Sequence, residues 1–322
     1  ISTDQVDIAV AIPVECDRRD HLQIHADRGA STVSVIPLEA STGGVLWFGP
    51  AADVLEVREP VEKLAAQQVQ VTIAIEVGKV RRRHAVHVNL RVVVTGGASG
   101  IGLACVTMMA EMGATVAINH LEDDPNGPTQ VTELVEKGLK VISAPGNVSV
   151  SGNAEDMVEA AVQEMGGLDY LVNNAGTSGT QDKIPPSELD KMTEDFWQLL
   201  LGTNLIGPFR CAHAAAGALK ESRGAIVNMT SIAGIGQQGS SIAYAASKSG
   251  LVSLTRSLAR GLAPEVRVNA VAPGQTKTPW TENWPEERKQ WARDQAVLKR
   301  RSSPEDIAEA VLYLCAGASM VT

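Results

Sequence analysis

Two rhythms run along this chain. In its first quarter apolar residues alternate with others, at Val6, Ile8, Val10, Ile12 and Val14 and again at Val69, Val71, Ile73, Ile75 and Val77. A period of two sends every second side chain to one face, so both stretches predict half-buried strands. The stretches are also related to each other. "QVDIAVAIPVECDRRDH" from Gln5 returns as "QVQVTIAIEVGKVRRRH" from Gln68, with eight of seventeen positions identical at an offset of 63. Residues 1–89 are expected to form a small β-rich element of two related halves, or an upstream segment that packs poorly, and no motif in them carries chemistry.

From Arg91 the rhythm changes. "RVVVTG", "ATVAIN", "KVISAP", "LDYLVNN", "GAIVNMTS" and "VRVNAVAP" are short apolar runs of the kind found in strands buried on both faces, separated by helix-length amphipathic segments such as 151–165 and 244–260. This succession predicts an α/β fold over residues 90–322: a doubly wound parallel sheet of the Rossmann type, with six strands and helices on both faces. Right-handed crossovers would bring every strand's carboxyl end to one edge, where ligands bind.

Charge and cysteine usage narrow the classes. The net charge is −9 and the isoelectric point about 5.2, which argues against a general nucleic-acid footprint. The one dense basic run, Arg81-Arg82-Arg83-His84, reads more readily as a solvated turn than as a binding patch. Cys16, Cys105, Cys211 and Cys315 are far apart and lack metal-ligand spacing, so no metal is expected and they read as reduced thiols packed in an intracellular, cytoplasmic protein. No apolar run reaches the roughly 18 residues of a membrane span and no signal peptide is visible. The chain begins at Ile1 and stops at "ASMVT", so both ends read as cut.

Two motifs offer chemistry. "TGGASGIG" at 95–102 follows the first strand of the alternating region and opens its first helix, with glycines at 96, 100 and 102. Glycines permit the tight turn and let a pyrophosphate approach backbone N–H groups at a helix N-terminus. "YAASK" places Tyr244 four residues before Lys248, on one helix face. A nearby cation favours a phenolate, and a phenol whose pKa falls toward the working pH can act as a general acid or base. Alone, such a pair is ordinarily an exposed helix pair.

With "NNAG" at 173–176 and "PGQTKT" at 273–278 in the same order, and Ser231 thirteen residues before Tyr244, the chain from Arg91 onward resembles the short-chain dehydrogenase/reductase family. Within that family it looks most like the group of 3-oxoacyl-carrier-protein reductases and small-molecule alcohol dehydrogenases. The resemblance implies a catalytic set of Asn204, Ser231, Tyr244 and Lys248. Tyr244 would exchange a proton with the carbonyl or alcohol oxygen and Ser231 would polarise that oxygen. Lys248 would lower the phenol's pKa and hold the nicotinamide ribose, and Asn204 would anchor a water linking Lys248 to solvent.

For the cofactor, the resemblance implies contacts from Thr95, Gly96, Ser99, Gly100, Ile101 and Gly102 around the pyrophosphate. Asn174, Ala175 and Gly176 would lie by the adenosine end, and Asn147 and Val148 stand where the family has Asp-Val against the adenine. Pro273, Gly274, Thr276 and Thr278 would lie by the nicotinamide and phosphates. Asn119 and His120 occupy the end of the second strand, where an acid would bind the ribose hydroxyls of NAD. The missing acid favours NADP(H) over NAD(H), although no Arg or Lys stands ready there and Glu122, Asp123 and Asp124 follow.

The partners implied are a small-molecule carbonyl or alcohol and a second copy of the chain, as a homo-dimer or homo-tetramer when full length. Family members continue past "ASMVT" into a last strand. Trp280, Trp284 and Trp291, three of five tryptophans, fall in the segment over the substrate and suit an apolar or ring-shaped molecule or packing of that segment's own helix. Gln237 and Gln238 would also face the pocket. The alternatives are a sugar or polyol dehydrogenase of the same family, a non-catalytic dinucleotide-binding regulator, and a chain whose working part is residues 1–89.

Overall fold

In the computed structural model of the chain, residues 90–322 are described throughout, and before them only the backbone of six strands. The chain divides into two compact units, Ile1–Ala85 and Val86–Thr322. In the first, β1 (Ala9–Ile12) pairs antiparallel with β6 (Val71–Ala74), β2 (His21–Ala26) with β3 (Val33–Leu38), and β4 (Val45–Leu46) with β5 (Leu55–Glu56). The two copies of the sequence repeat therefore pair with each other. Val10 lies opposite Ile73, its own counterpart at the 63-residue offset, so the pairing is centred on a pseudo-twofold. The rest of each alternating stretch, Cys16 and the run Arg81–His84 lie outside the described residues.

The second unit carries six strands: β7 (Arg91–Val94), β8 (Thr115–His120), β9 (Val141–Pro145), β10 (Tyr170–Asn173), β11 (Ala225–Met229) and β12 (Arg267–Val271). They form one parallel sheet in the order β12-β11-β10-β7-β8-β9. The order reverses between β7 and β10, which opens a crevice beyond their carboxyl ends, the place where such sheets bind ligands. Apolar runs rather than alternation specify these strands because both faces are covered: β10 and β11 are buried at every position.

One face, with Val92, Val94, Val116, Ile118, Val172 and Val227, packs under α1 (Gly100–Glu111), α2 (Asn126–Glu136) and α9 (Pro304–Leu312). The other, with Val93, Ala117, Leu171, Ile226 and Val268, packs under α3 (Asn153–Met165), α5 (Gly207–Ser222) and α6 (Ile242–Leu262). Each large aliphatic side chain buried this way contributes about 1.5–3 kcal/mol. Among the described cysteines, Cys105, Cys211 and Cys315 are all buried free thiols. No helix among the described residues is long and apolar enough to cross a membrane.

Three shorter helices complete the unit: α4 (Glu194–Leu201), α7 (Pro279–Glu282) and α8 (Glu286–Gln295). Between α4 and α5 the helix widens into a π turn over Gly202–Ile206, with Gly207 N–H bonded back to the Gly202 carbonyl. Such turns insert one residue into a helix and are frequent at functional sites.

Candidate active site

The glycine turn sits directly on β10's end. Gly96 and Gly100 have φ of +61° and +53°, backbone that side-chain-bearing residues rarely adopt. At Gly102 the reason is space: an added Cβ would lie 2.2 Å from the Gly96 carbonyl oxygen and 2.6 Å from Asn174 Nδ2. Asn174 holds the turn, donating from Nδ2 to the Thr95 and Gly96 carbonyls at 3.0 Å each. Thr95 Oγ1 accepts in turn from the backbone N–H of Asn174 and Ala175, both at 3.0 Å. Ser99 is exposed at the start of α1 and its hydroxyl caps nothing, while Ile101 packs on the core. Thr278 approaches from the opposite side, its Cγ2 3.3 Å from where a Cβ on Gly100 would stand. Pro273 is tied to the loop after β11, its carbonyl accepting from Ile232 N–H at 3.1 Å, and Gly274 lies exposed beside it.

The residues expected to be catalytic converge at the same edge. Ser241 caps α6, its hydroxyl accepting from Tyr244 N–H at 3.0 Å, which puts Tyr244 in the first turn and Lys248 one turn further in. Ser231, two residues past the end of β11, accepts from Ala233 N–H at 3.2 Å and lies near enough to the Tyr244 phenol to act on its pKa. Lys248 is buried, and its Nζ donates to the Met229 carbonyl at 2.8 Å. Asn204, fully buried in the π turn, completes the group. A Cβ on Gly176 would stand 3.3 Å from Lys248 Nζ and 3.2 Å from Asn204 Oδ1, so the bare glycine leaves amine and amide room to converge.

One expectation needs correction. Burial pushes the Tyr244 phenol above its ordinary value, and the Ser231 hydrogen bond opposes that rise. The dominant influence on Tyr244 is thus desolvation, not a depression by Lys248. Burial also pulls Lys248 down from 10.5 to about 8. The Asn204 side chain is engaged with the protein on both its oxygen and its nitrogen. Its Oδ1 accepts from Thr177 N–H at 2.8 Å, and its Nδ2 donates to the Thr177 carbonyl at 2.9 Å and to Ser247 Oγ at 3.1 Å.

The residues expected around the adenosine end are mostly turned inward. Asn119 is buried, accepting from Gly96 N–H at 3.1 Å and donating to the Ala144 and Gly146 carbonyls at 3.1 and 2.9 Å. His120 is buried against Gly127, where a Cβ would fall 2.1 Å from its ring. Both His120 nitrogens are engaged, Nδ1 with the Leu121 carbonyl and Nε2 with Ser143 Oγ, each at 2.8 Å. Since the carbonyl can only accept, Nδ1 carries the proton and Nε2 accepts from the serine. Asn147 closes a turn by accepting from Ser149 N–H and Oγ, and Val148 belongs to the core. Gln237 and Gln238 are exposed.

Several contributors carry no sequence signal. Thr177 and Ser247 fix Asn204, and the Met229 carbonyl fixes Lys248. Arg301, 6% exposed, donates to the Thr276 carbonyl at 2.9 Å and to Thr281 Oγ1, bracing the segment after β12. Trp280 reaches across to donate from Nε1 to Ser178 Oγ at 3.1 Å.

The residues present fit a nicotinamide dinucleotide. The glycine cradle would be filled by any side chain, and next to it the buried Gln275 Oε1 and Thr276 Oγ1 make no hydrogen bond. A family model described as enoyl-(acyl carrier protein) reductase matches residues 96–322. The chain is a short-chain dehydrogenase/reductase.

Among curated relatives, a ketoacyl reductase of the granaticin polyketide synthase from Streptomyces violaceoruber is 39% identical over 224 residues, covering 69% of this chain and 87% of that protein. A 3-oxoacyl-[acyl-carrier-protein] reductase from Thermotoga maritima is 36% identical over 228 residues, 70% of this chain and 90% of the relative. A solved structure described as a short-chain dehydrogenase/reductase from Burkholderia xenovorans superposes with a TM-score of 0.67 at 34% identity, covering 73% of this chain and 94% of the other. This short-chain reductase is accordingly an NAD(P)-dependent oxidoreductase that interconverts carbonyl and alcohol groups.

Proposed function

We propose that Tyr244 is the general acid and base of this reductase, that Ser231 polarises the reacting oxygen, and that the preferred cofactor is NADP(H). The observation that carries the reading is the convergence of the Ser231 hydroxyl, the Tyr244 phenol and the buried Lys248 at one edge of the sheet. Two hydroxyls side by side can both hydrogen-bond one carbonyl oxygen, which stabilises the negative charge that develops there. When bound, the nicotinamide supplies or accepts the hydride. The phenol, protonated at neutral pH, would donate its proton to that oxygen in reduction and recover it from an alcohol in reverse. Lys248, close to neutral in its own value, is suited to pass a proton onward and to hold ribose hydroxyls. Asn204 keeps Thr177 and Gly176 against that amine.

NADP(H) is favoured because the end of β8 presents no carboxylate to a ribose: Asn119 and His120 are both turned inward. Asp124, the nearest acid on the following turn that is not exposed, is used to start α2, accepting from Asn126 N–H at 3.0 Å. The substrate is a small-molecule ketone or secondary alcohol, a reading supported by relatives named as oxoacyl and ketoacyl reductases. The working form is a cytoplasmic homo-dimer or homo-tetramer, and residues 90–322 form the catalytic domain.

Titration of the protein with NADPH and NADH, followed by nicotinamide fluorescence, tests the cofactor. Saturable binding of NADPH in preference to NADH is expected. Tyr244→Phe should keep that binding and lose turnover of a 3-oxoacyl thioester by about 100-fold or more. Turnover near wild type would remove Tyr244 from the chemistry, and reduction of an enoyl thioester in place of the oxo compound would reassign the reaction.

A further inference from the structure

The three tryptophans after β12 do different things. The Trp284 ring is covered by Arg288, whose guanidinium carbon lies 3.5 Å from its centroid, so that residue packs its own segment. Trp291 is exposed on α8. Trp280 alone meets the catalytic tyrosine: its ring stands at 87° to that of Tyr244 with centroids 6.5 Å apart. It is held there. Ser178, 6% exposed, gives its only proton to the Thr180 carbonyl, which leaves a lone pair for the Trp280 indole N–H.

Both ends of this contact are braced. Thr281, the next residue, is gripped by Arg301, and the loop bearing Ser178 is fastened to Asn204 through Thr177 and to the segment before α6 by Ile184 N–H on the Ser240 carbonyl at 2.8 Å. With its polar edge satisfied, Trp280 still leaves 48% of its surface uncovered beside the phenol. A large, rigid apolar surface kept open next to the proton donor is surface for a substrate to cover.

We propose that Trp280, latched to Ser178, is the specificity-determining wall of the substrate site, and that it selects ketones carrying a planar or cyclic group beside the carbonyl over open-chain ketones. The inference rests on Tyr244 being the proton donor, because that role places the carbonyl against the phenol and its substituent against the indole. A ring loses little freedom on stacking there, and ring-on-ring contact is worth about two- to tenfold in affinity beyond the area covered. A flexible chain must be ordered to make the same contact.

The test compares 1-tetralone with 2-octanone at saturating cofactor, together with trypsin cleavage after Arg288 and Lys289 in the cofactor-free protein. The wild type should favour the ring ketone. Trp280→Ala should lower the ring-to-chain ratio of kcat/KM by about tenfold, mainly through KM for the ring ketone. Trp280→Phe should keep most of the ratio while losing the latch. Ser178→Ala should speed cleavage of the α8 segment by about fivefold, the effect of one hydrogen bond on a local opening. An unchanged ratio in Trp280→Ala would overturn the proposal, as would cleavage rates indifferent to both Ser178→Ala and Trp280→Phe. A wild type that binds NADPH but reduces neither ketone would instead overturn the assignment of Tyr244, while the cleavage rates still report on the latch.

Discussion

Lys248 is the costliest charge in the site, and its cost can be measured. The gap between its ordinary value of 10.5 and about 8 in the folded protein corresponds, at 1.36 kcal/mol per pH unit, to about 3 kcal/mol against the charged form. Because the folded value is the lower one, the unfolded chain binds more protons between pH 8 and 10.5, and stability rises with pH across that window. Below pH 8 the penalty is present in full. Lys248→Met removes the titration while keeping a side chain of similar length. It also strands the Met229 carbonyl, which costs about 1–3 kcal/mol.

At pH 7 the methionine variant should therefore equal or exceed the parent in stability by up to about 2 kcal/mol. Toward pH 10.5 the order should reverse. Urea unfolding followed by tryptophan fluorescence, with both chains in a Tyr244→Phe background so that the phenol cancels, measures the difference. Its change of about 3 kcal/mol between pH 7 and pH 10.5 is the diagnostic quantity. A difference that stays flat to within about 0.5 kcal/mol across that range would refute the burial of a titrating amine.

Gly102→Ala would press a methyl into the Gly96 carbonyl and Asn174; displacing the turn at about 1–3 kcal/mol should weaken NADPH binding about 5- to 100-fold, and an unchanged dissociation constant in the fluorescence titration would refute the cradle. Asn119→Asp should not convert cofactor preference. It removes the donor to the Ala144 and Gly146 carbonyls and faces them with a carboxylate, so the urea midpoint should fall by the equivalent of about 2–4 kcal/mol; a stable variant switched to NADH would show that the side chain reaches the ribose. Burial pushes the Cys105 and Cys211 thiols up to about 12 and Cys315 higher still, so iodoacetamide at pH 8 should leave all three unlabelled in the folded protein and label them in urea, as read by peptide mass spectrometry.

The sheet and the pairing of Tyr244 with Lys248 were legible because each has a local signature: double-sided burial writes an unbroken apolar run, and the helix period puts Tyr244 and Lys248 on one face. Side-chain direction at β8's end has no such signature. The ribose position in the chain holds Asn119 and His120, but β8 is buried at all but its first residue and Gly127, in the first turn of α2, packs over it. The imidazole therefore fills the slot that a Cβ at Gly127 would occupy. The π turn was equally invisible, since α4, the turn and α5 run as one helical stretch in which only Gly202 and Gly207 mark the widening. Contacts across 102 residues, such as Trp280 on Ser178, leave no trace in spacing.

Through its hydrogen bonds to Thr177 and Ser247, Asn204 joins the loop after β10 to the helix that carries Tyr244 and Lys248. The same loop supplies Gly176 beneath the lysine and Ser178 beneath Trp280. One buried amide thus connects the floor of the site to its wall. Burial at this edge raises the phenol's pKa and lowers the lysine's. Opening the site to water would relax both values toward those of exposed side chains, so closure sets the proton affinities of the two groups together.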